Sequence, residues 1–137
     1  MAEDGASLTG VWDGSYSYPF GRKPVPFTAV ILEFGSTFSG TVHERPEEGA
    51  LAGQTINAAI EGSRRAAAVT FSKSYLDTGE RYKNTVIYEG ELNQDLTQIT
   101  GRWRIPGNWS GRFIMTRPRP PAEAVEVVRQ ETVPADI

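Results

Sequence analysis

Hydrophobic and polar residues alternate along most of the chain, so that every second side chain points to the same side of an extended strand. In residues 8–19, Trp12, Tyr16 and Tyr18 share one face with Gly14, and Val11 and the polar residues fall on the other. The same alternation returns in later segments, which are separated by turn-forming runs. Such a pattern predicts β-strands with one buried face, and short turns predict that consecutive strands pair.

Eight segments show this alternation, and each has a face that we expect to point inward. The predicted inward side chains are Trp12, Tyr16 and Tyr18; Val30, Leu32 and Phe34; Phe38 and Val42; Ile56, Ala58 and Ile60; Val69 and Phe71; Val86, Tyr88 and Leu92; Ile99, Trp103 and Ile105; and Trp109, Phe113 and Met115. Gly62-Ser63 is the predicted turn between the fourth and fifth strands. The chain is thus predicted to be all-β, an eight-stranded antiparallel up-and-down barrel, since closure removes exposed strand edges. A two-sheet sandwich is the alternative, but the chain lacks long crossover connections.

Glycines fall on the same face as the large aromatic residues, at Gly14, Gly40, Gly90, Gly101 and Gly111. In a small barrel, glycine permits the sharp bends that closure requires, and it leaves space inside. An eight-stranded barrel has an interior that is either filled by side chains or just wide enough for one small ligand. Both interpretations remain open from the sequence.

The barrel is predicted to span residues 8–117, after a flexible N-terminus at residues 1–7. Residues 118–137 form a proline-rich linker and a C-terminal tail. The run RPRPP at residues 117–121 cannot pair inside a sheet. The following AEAVEVVRQE predicts a short helix, with Pro121 near its first turn and Ala122, Val125 and Val128 near one face.

The segment Gly10-Val11-Trp12-Asp13-Gly14, followed by a meander of glycine-bearing strands, resembles the calycin group of barrels. That group includes lipocalins, fatty-acid-binding proteins and avidins. The resemblance covers roughly residues 8–117 and implies a barrel with one open end and with Trp12 packed at the base. The same segment resembles the first strand of nitrobindin, a haem-binding barrel whose iron ligand is a histidine near the C-terminus. Since the only histidine here is His43, the resemblance implies the fold and not the haem.

Composition removes several classes of function. With a formal net charge of -3, the chain lacks the broad basic surface that binds nucleic acid or anionic membranes. The chain has no cysteine, which excludes disulfides and thiolate sites. The acidic start MAEDGAS is unlike a secretory signal, and no apolar run approaches the ~18 residues of a membrane helix. We therefore expect a cytoplasmic protein with no nucleic-acid or membrane partner.

Candidate chemistry is sparse. His43 alternates with Phe38 and Val42, so it is expected to point outward, and the nearby acids lie in a predicted loop without metal-ligand spacing, namely Glu44, Glu47 and Glu48. Outward charges on neighbouring strands predict cross-strand ion pairs between Glu89 or Glu91 and Arg102, Arg104 or Arg112. We predict no catalytic residue, no metal ligand and no cofactor.

The best candidates for a binding site are inward aromatic residues with polar tips, which line small-molecule cavities in many proteins: Tyr16, Tyr18, Tyr88 and Trp103. The leading hypothesis is that the barrel interior binds a small apolar or aromatic ligand. A filled barrel that serves as a structural or interaction module is the alternative; it predicts self-association into a homo-oligomer or an exposed apolar patch. A cyclase- or isomerase-type enzyme is the third, and it needs an inward titratable group with a shifted pKa.

Overall fold

The structure, a computed structural model, describes residues 7–49, 51–76 and 85–118. Each of its eight strands pairs antiparallel with the next, and the eighth pairs with the first to close a barrel. The strands are β1 (Gly10–Ser17), β2 (Val25–Phe34), β3 (Thr37–Glu44), β4 (Ile56–Arg65), β5 (Ala68–Leu76), β6 (Val86–Leu92), β7 (Gln98–Arg104) and β8 (Ser110–Thr116). The predicted all-β barrel is confirmed. No helix long and apolar enough to cross a membrane occurs in these ranges, and the predicted C-terminal helix lies outside them.

The inward faces predicted for most strands form the core. Four aromatic residues fill the middle of the barrel: Phe38, Phe71, Tyr88 and Phe113. The rings of Phe71 and Tyr88 stack with centroids 4.6 Å apart, and Phe113 meets Tyr88 edge to face at 4.9 Å. This part of the barrel is therefore packed by side chains, as the filled-barrel interpretation requires.

The predicted face of β2 is wrong. Its exposed side chains are those predicted to point inward, with exposed fractions of 41% for Val30, 53% for Leu32 and 73% for Phe34. The buried side chains of β2 are Val25, Phe27, Ala29 and Ile31. The segment VPFTAVILEF is apolar on both faces, so alternation within β2 does not distinguish two registers that differ by one residue. The neighbouring strands decide the register, because small Ala29 lies opposite both bulky Trp12 and Val42.

Two further predictions also need correction. The turn between β4 and β5 lies at Ala66, which has a φ of 55°, and at Ala67, not at Gly62-Ser63. Gly62 lies inside the paired strand. Glycine is required there because a side chain would overlap the Thr70 carbonyl oxygen of β5. Trp109 precedes β8 and is 39% exposed rather than buried. It lies at the end of the barrel, where its ring packs against Tyr18 and Phe20.

Inward glycines stand where neighbouring strands approach closely. A Cβ added at Gly40 would overlap the carbonyl oxygen of Val30, and one at Gly101 would overlap that of Glu89. These obstacles are backbone atoms of the adjacent strand, so a side chain could not be accommodated by a change of rotamer. Glycine at these two positions lets the wall of the barrel bend.

The two ends of the barrel differ. At the end where β1 begins, the Trp12 indole donates a hydrogen bond to the Leu8 carbonyl at 2.9 Å, and the Arg117 guanidinium lies 4.4 Å from the Trp12 ring centroid. Arg117 also donates to the carbonyls of Ser7, Thr9 and Leu96. We call this the closed end. The opposite end, where β1 and β7 finish, is the open end.

Candidate ligand site at the open end

A cavity of about 270 Å³ lies inside the open end of the barrel. Six aromatic residues line it: Tyr16, Tyr18, Tyr75, Tyr88, Trp103 and Trp109. Two larger hollows, of about 550 and 510 Å³, are lined mainly by side chains of the outer barrel surface and its loops, such as Arg102, Arg112 and His43. The interior cavity is the better candidate because it is concave and lies inside the barrel, with aromatic rings forming much of its wall.

The structure brings the four predicted binding residues together around this cavity. Tyr16 and Tyr18 meet the Trp103 ring edge to face, with centroids 6.0 and 5.6 Å away. The Trp103 indole donates to the Ser17 carbonyl at 2.9 Å, which fixes the ring on the cavity wall. Tyr88 lies deeper, between the cavity and the packed rings below it. That these four residues bind a ligand stays a prediction.

A buried ion pair, which the sequence reasoning missed, lies beside the cavity. Glu44 is 1% exposed and Lys73 is 2% exposed, and the Lys73 ammonium donates to Glu44 Oε2. Lys73 Nζ also donates to the Tyr88 hydroxyl at 2.7 Å. The hydroxyls of Tyr16 and Tyr75 donate to the Glu44 carboxylate at 2.8 and 3.0 Å. We call these five residues the polar cluster.

The polar cluster is internally compensated. A buried charge is costly unless it has an opposite charge and hydrogen-bond partners, and Glu44 has both. The Lys73 ammonium lies 4.5 to 5.0 Å from the ring centroids of Tyr16, Tyr75 and Tyr88, where cation–π attraction adds to the ion pair. The cluster therefore places two full charges inside the barrel with no net charge.

Burial and the cluster's own charges set its protonation states. Burial raises the pKa of Tyr16 and Tyr88, and the Glu44 carboxylate raises both further. Burial also raises the pKa of Tyr75, although Lys73 opposes that effect. Burial alone would lower the pKa of Lys73, but Glu44 and Tyr75 outweigh it, so that pKa is raised. At neutral pH Lys73 is therefore an ammonium and the three tyrosines are neutral phenols, which suits hydrogen bonding better than proton transfer.

The placement of Glu44 in a loop was wrong: it is the last residue of β3 and points inward. The alternation of Phe38, Gly40 and Val42 continues to Glu44, and that of Val69 and Phe71 continues to Lys73. Extending each inward face through its polar residues would have found both. Alternation alone does not predict their burial, because a charged side chain considered by itself is expected to be exposed.

The other polar candidates lie outside the cavity. His43 is exposed on the outer surface, as its alternation predicted, and its Nδ1 lies 2.6 Å from Asn57 Oδ1. On β6 and β7, Arg104 pairs with Glu89 at 3.6 Å on the outer surface. Within residues 7–49, 51–76 and 85–118, no group of three or more His, Asp or Glu side chains is arranged to hold a metal ion.

Among solved structures, the chain is similar to a de novo designed fluorescence-activating β-barrel, with a TM-score of 0.61 over 86% of this chain and 100% of that one. This chain is an eight-stranded antiparallel barrel. The two sequences are 12% identical, so the likeness concerns the fold alone. No protein-family model matches the chain, and no curated protein matches it.

Proposed function

We propose that this barrel binds a small aromatic molecule in the cavity at its open end. One observation carries the proposal, namely a cavity of about 270 Å³ between aromatic rings inside the open end, with the polar cluster beside it. Small-molecule sites are typically concave and mostly apolar, with a few polar groups that fix orientation. This cavity has each of those features.

The volume limits the size of the ligand. An apolar cavity of about 150 Å³ holds benzene. A cavity of about 270 Å³ therefore suits a substituted single ring or two fused rings. Tyr18, Trp103 and Trp109 present ring edges and faces that favour a flat molecule over a branched one.

Two likenesses support the proposal without carrying it. The segment Gly10–Gly14 resembles the first strand of calycins, and we propose that the chain is a calycin-like barrel, a group in which the interior commonly holds a ligand. The designed barrel that shares the fold is described as fluorescence-activating. Both fit a small molecule bound inside the wall.

Native mass spectrometry of protein purified from cells, together with fluorescence titration of an apolar dye, tests the proposal. Val86 lines the cavity, so Val86→Trp should fill it and weaken dye binding at least tenfold, with Val86→Phe as a smaller step. Ile87→Trp adds the same side chain at the next position, which faces the outer surface, and should leave binding unchanged. If the dye does not bind the wild type, or binds Val86→Trp equally well, the proposal fails.

A second candidate function is self-association. Four apolar side chains form an exposed surface on β1 and β2, which we call the outer apolar face: Val11, Val30, Leu32 and Phe34. The hydroxyl side chains of Thr37, Ser39 and Thr41 flank it on β3, so two copies could meet about a twofold axis without opposing like charges. We propose a second copy of this chain as its partner. Sedimentation velocity should show a dimer that Leu32→Ser dissociates, whereas a monomer at all concentrations would remove this candidate.

A further inference from the structure

The Tyr88 hydroxyl accepts a hydrogen bond but donates none among the residues that the structure describes. The Lys73 ammonium has only protons to offer, so in their 2.7 Å contact the Tyr88 oxygen is the acceptor. The hydroxyl proton of Tyr88 must therefore point elsewhere. Tyr88 is 2% exposed and lines the cavity. A buried hydroxyl normally finds an acceptor for its proton.

The other two phenols of the polar cluster differ from Tyr88 in this respect. Tyr16 and Tyr75 each donate to the Glu44 carboxylate. Among the residues that the structure describes, no acceptor receives the Tyr88 proton. The contact with Lys73 also polarises the Tyr88 hydroxyl, which makes its O–H a stronger donor in a site of low dielectric. Tyr88 thus offers one strong and unused donor to whatever occupies the cavity.

The charge of the cavity narrows the ligand further. Lys73 is the only cation in the described lining, and it is paired with Glu44. Among the residues that the structure describes, an anionic ligand would find no free counterion for its buried charge, which is unfavourable. A neutral ligand meets no such cost. The rings of Tyr18, Trp103 and Trp109 surround the rest of the volume with apolar surface.

We infer that the ligand is a neutral, flat aromatic molecule with a carbonyl-type acceptor that accepts the Tyr88 hydroxyl proton. This inference rests on the proposed function, since it names the class of ligand for the same cavity. The aromatic part lies among the rings at the open end, and the acceptor points down toward the polar cluster. Tyr88 is then the residue that orients the ligand and makes the site prefer it over a hydrocarbon of the same shape.

Three probes of similar shape test the inference: naphthalene, 2-acetylnaphthalene and 2-naphthoate. Their dissociation constants are measured with wild-type protein by quenching of tryptophan fluorescence. The neutral ketone should bind about tenfold more tightly than naphthalene, which is the range for one hydrogen bond. The carboxylate should bind more weakly than the ketone, because the one cation in the described part of the lining, Lys73, is already paired with Glu44.

Two matched variants assign the effect to one hydroxyl. Tyr88→Phe should abolish the preference for the ketone over naphthalene, since the ring remains and only the hydrogen-bond donor is lost. Tyr16→Phe removes a hydroxyl that already donates its proton in a hydrogen bond to Glu44, so the preference for the ketone over naphthalene should persist. The carbonyl stretch of the bound ketone provides a second readout: it should shift to lower frequency in the wild type and return toward its apolar-solvent value in Tyr88→Phe.

The outcomes separate the two proposals. If none of the probes binds, the proposed function fails and this inference fails with it. If naphthalene and the ketone bind equally well to the wild type, or if Tyr88→Phe keeps the preference, the proposed ligand binding is supported and the inference about Tyr88 is wrong. Tightest binding of 2-naphthoate would also overturn it, because the site would then select an anion.

Discussion

At the scale of single residues, the aromatic half of the site was predictable and the charged half was not. Tyr16, Tyr88 and Trp103 follow the alternation of their own strands, so local sequence places them inside. Glu44 and Lys73 are tolerated inside only because they meet each other, and they lie 29 positions apart in the chain. A single buried charge is unfavourable, so each residue considered alone is expected to be exposed. Only the fold brings the two partners together.

The tyrosines of the polar cluster predict how stability depends on pH. The pKa of Tyr16, of Tyr75 and of Tyr88 is raised in the folded state, while an unfolded tyrosine titrates near pH 10. Below about pH 10 both states hold these protons, and above it the unfolded state loses them first. The free energy of unfolding should therefore fall as pH rises above about 10, by up to ~1.4 kcal/mol per pH unit for each such tyrosine.

Urea unfolding at a series of pH values from about 8 to 11 measures this slope. Tyr16→Phe removes one of the shifted groups and should make the alkaline slope shallower by up to ~1.4 kcal/mol per pH unit. Tyr18→Phe is the control, because the Tyr18 hydroxyl makes no hydrogen bond to the polar cluster within the described residues. A wild type and a Tyr16→Phe variant with the same slope would show that burial of Tyr16 is not coupled to its ionisation.

At the scale of elements, the strands were easier to predict than their orientation. Seven strands have polar residues on one face, so alternation decides which face is buried. In β2, apolar residues occupy consecutive positions from Ala29 to Leu32, and local pattern therefore allows both orientations. The observed one places Ile31 opposite Gly40 and Ala29 opposite Trp12, which pairs large with small residues between adjacent strands on the inner face. That choice depends on two neighbouring strands and not on β2 itself.

Two adjacent alanine substitutions test the orientation of β2. Ile31 is 1% exposed, so Ile31→Ala should lower the free energy of unfolding by about 2–5 kcal/mol, as expected for a large core side chain. Leu32 is 53% exposed, and Leu32→Ala should change it by less than about 0.5 kcal/mol. Urea unfolding at low protein concentration, where self-association is absent, measures both. The reverse order of effects would indicate that β2 is shifted by one residue.

At the scale of the whole molecule, the barrel divides into a part that maintains the fold and a part that leaves space. The closed end is sealed by Trp12 and Arg117, and the aromatic core fills the middle. Among the residues that the structure describes, the unfilled volume inside the barrel lies at the open end. The sequence predicted the barrel from strand count and turn length, but it left a filled and a hollow interior equally open. The answer depends on which side chains meet across the axis, and strand pattern does not contain that information.

This division predicts that the two ends respond differently to mutation. Arg117 donates hydrogen bonds to three backbone carbonyls at the closed end, so Arg117→Leu should lower the free energy of unfolding by about 2 kcal/mol. The affinity of the folded protein for 2-acetylnaphthalene should stay within about twofold, because the packed core separates Arg117 from the cavity. Trp109→Ala differs from Arg117→Leu in its effect on binding. Trp109 is 39% exposed and lines the cavity, so stability should fall by about 2–3 kcal/mol and affinity should fall as well.

For Trp109→Ala, affinity should fall about fivefold to tenfold, in line with the loss of one aromatic contact. Thermal unfolding and fluorescence titration of the same protein samples measure both quantities, and Ile114→Ala on the outer surface is the control for each. If Arg117→Leu lowers the affinity for the ketone as much as Trp109→Ala does, the closed end takes part in binding. The packed rings of Phe71, Tyr88 and Phe113 would then transmit strain along the barrel axis, as a close-packed interior can, and would not isolate one end from the other.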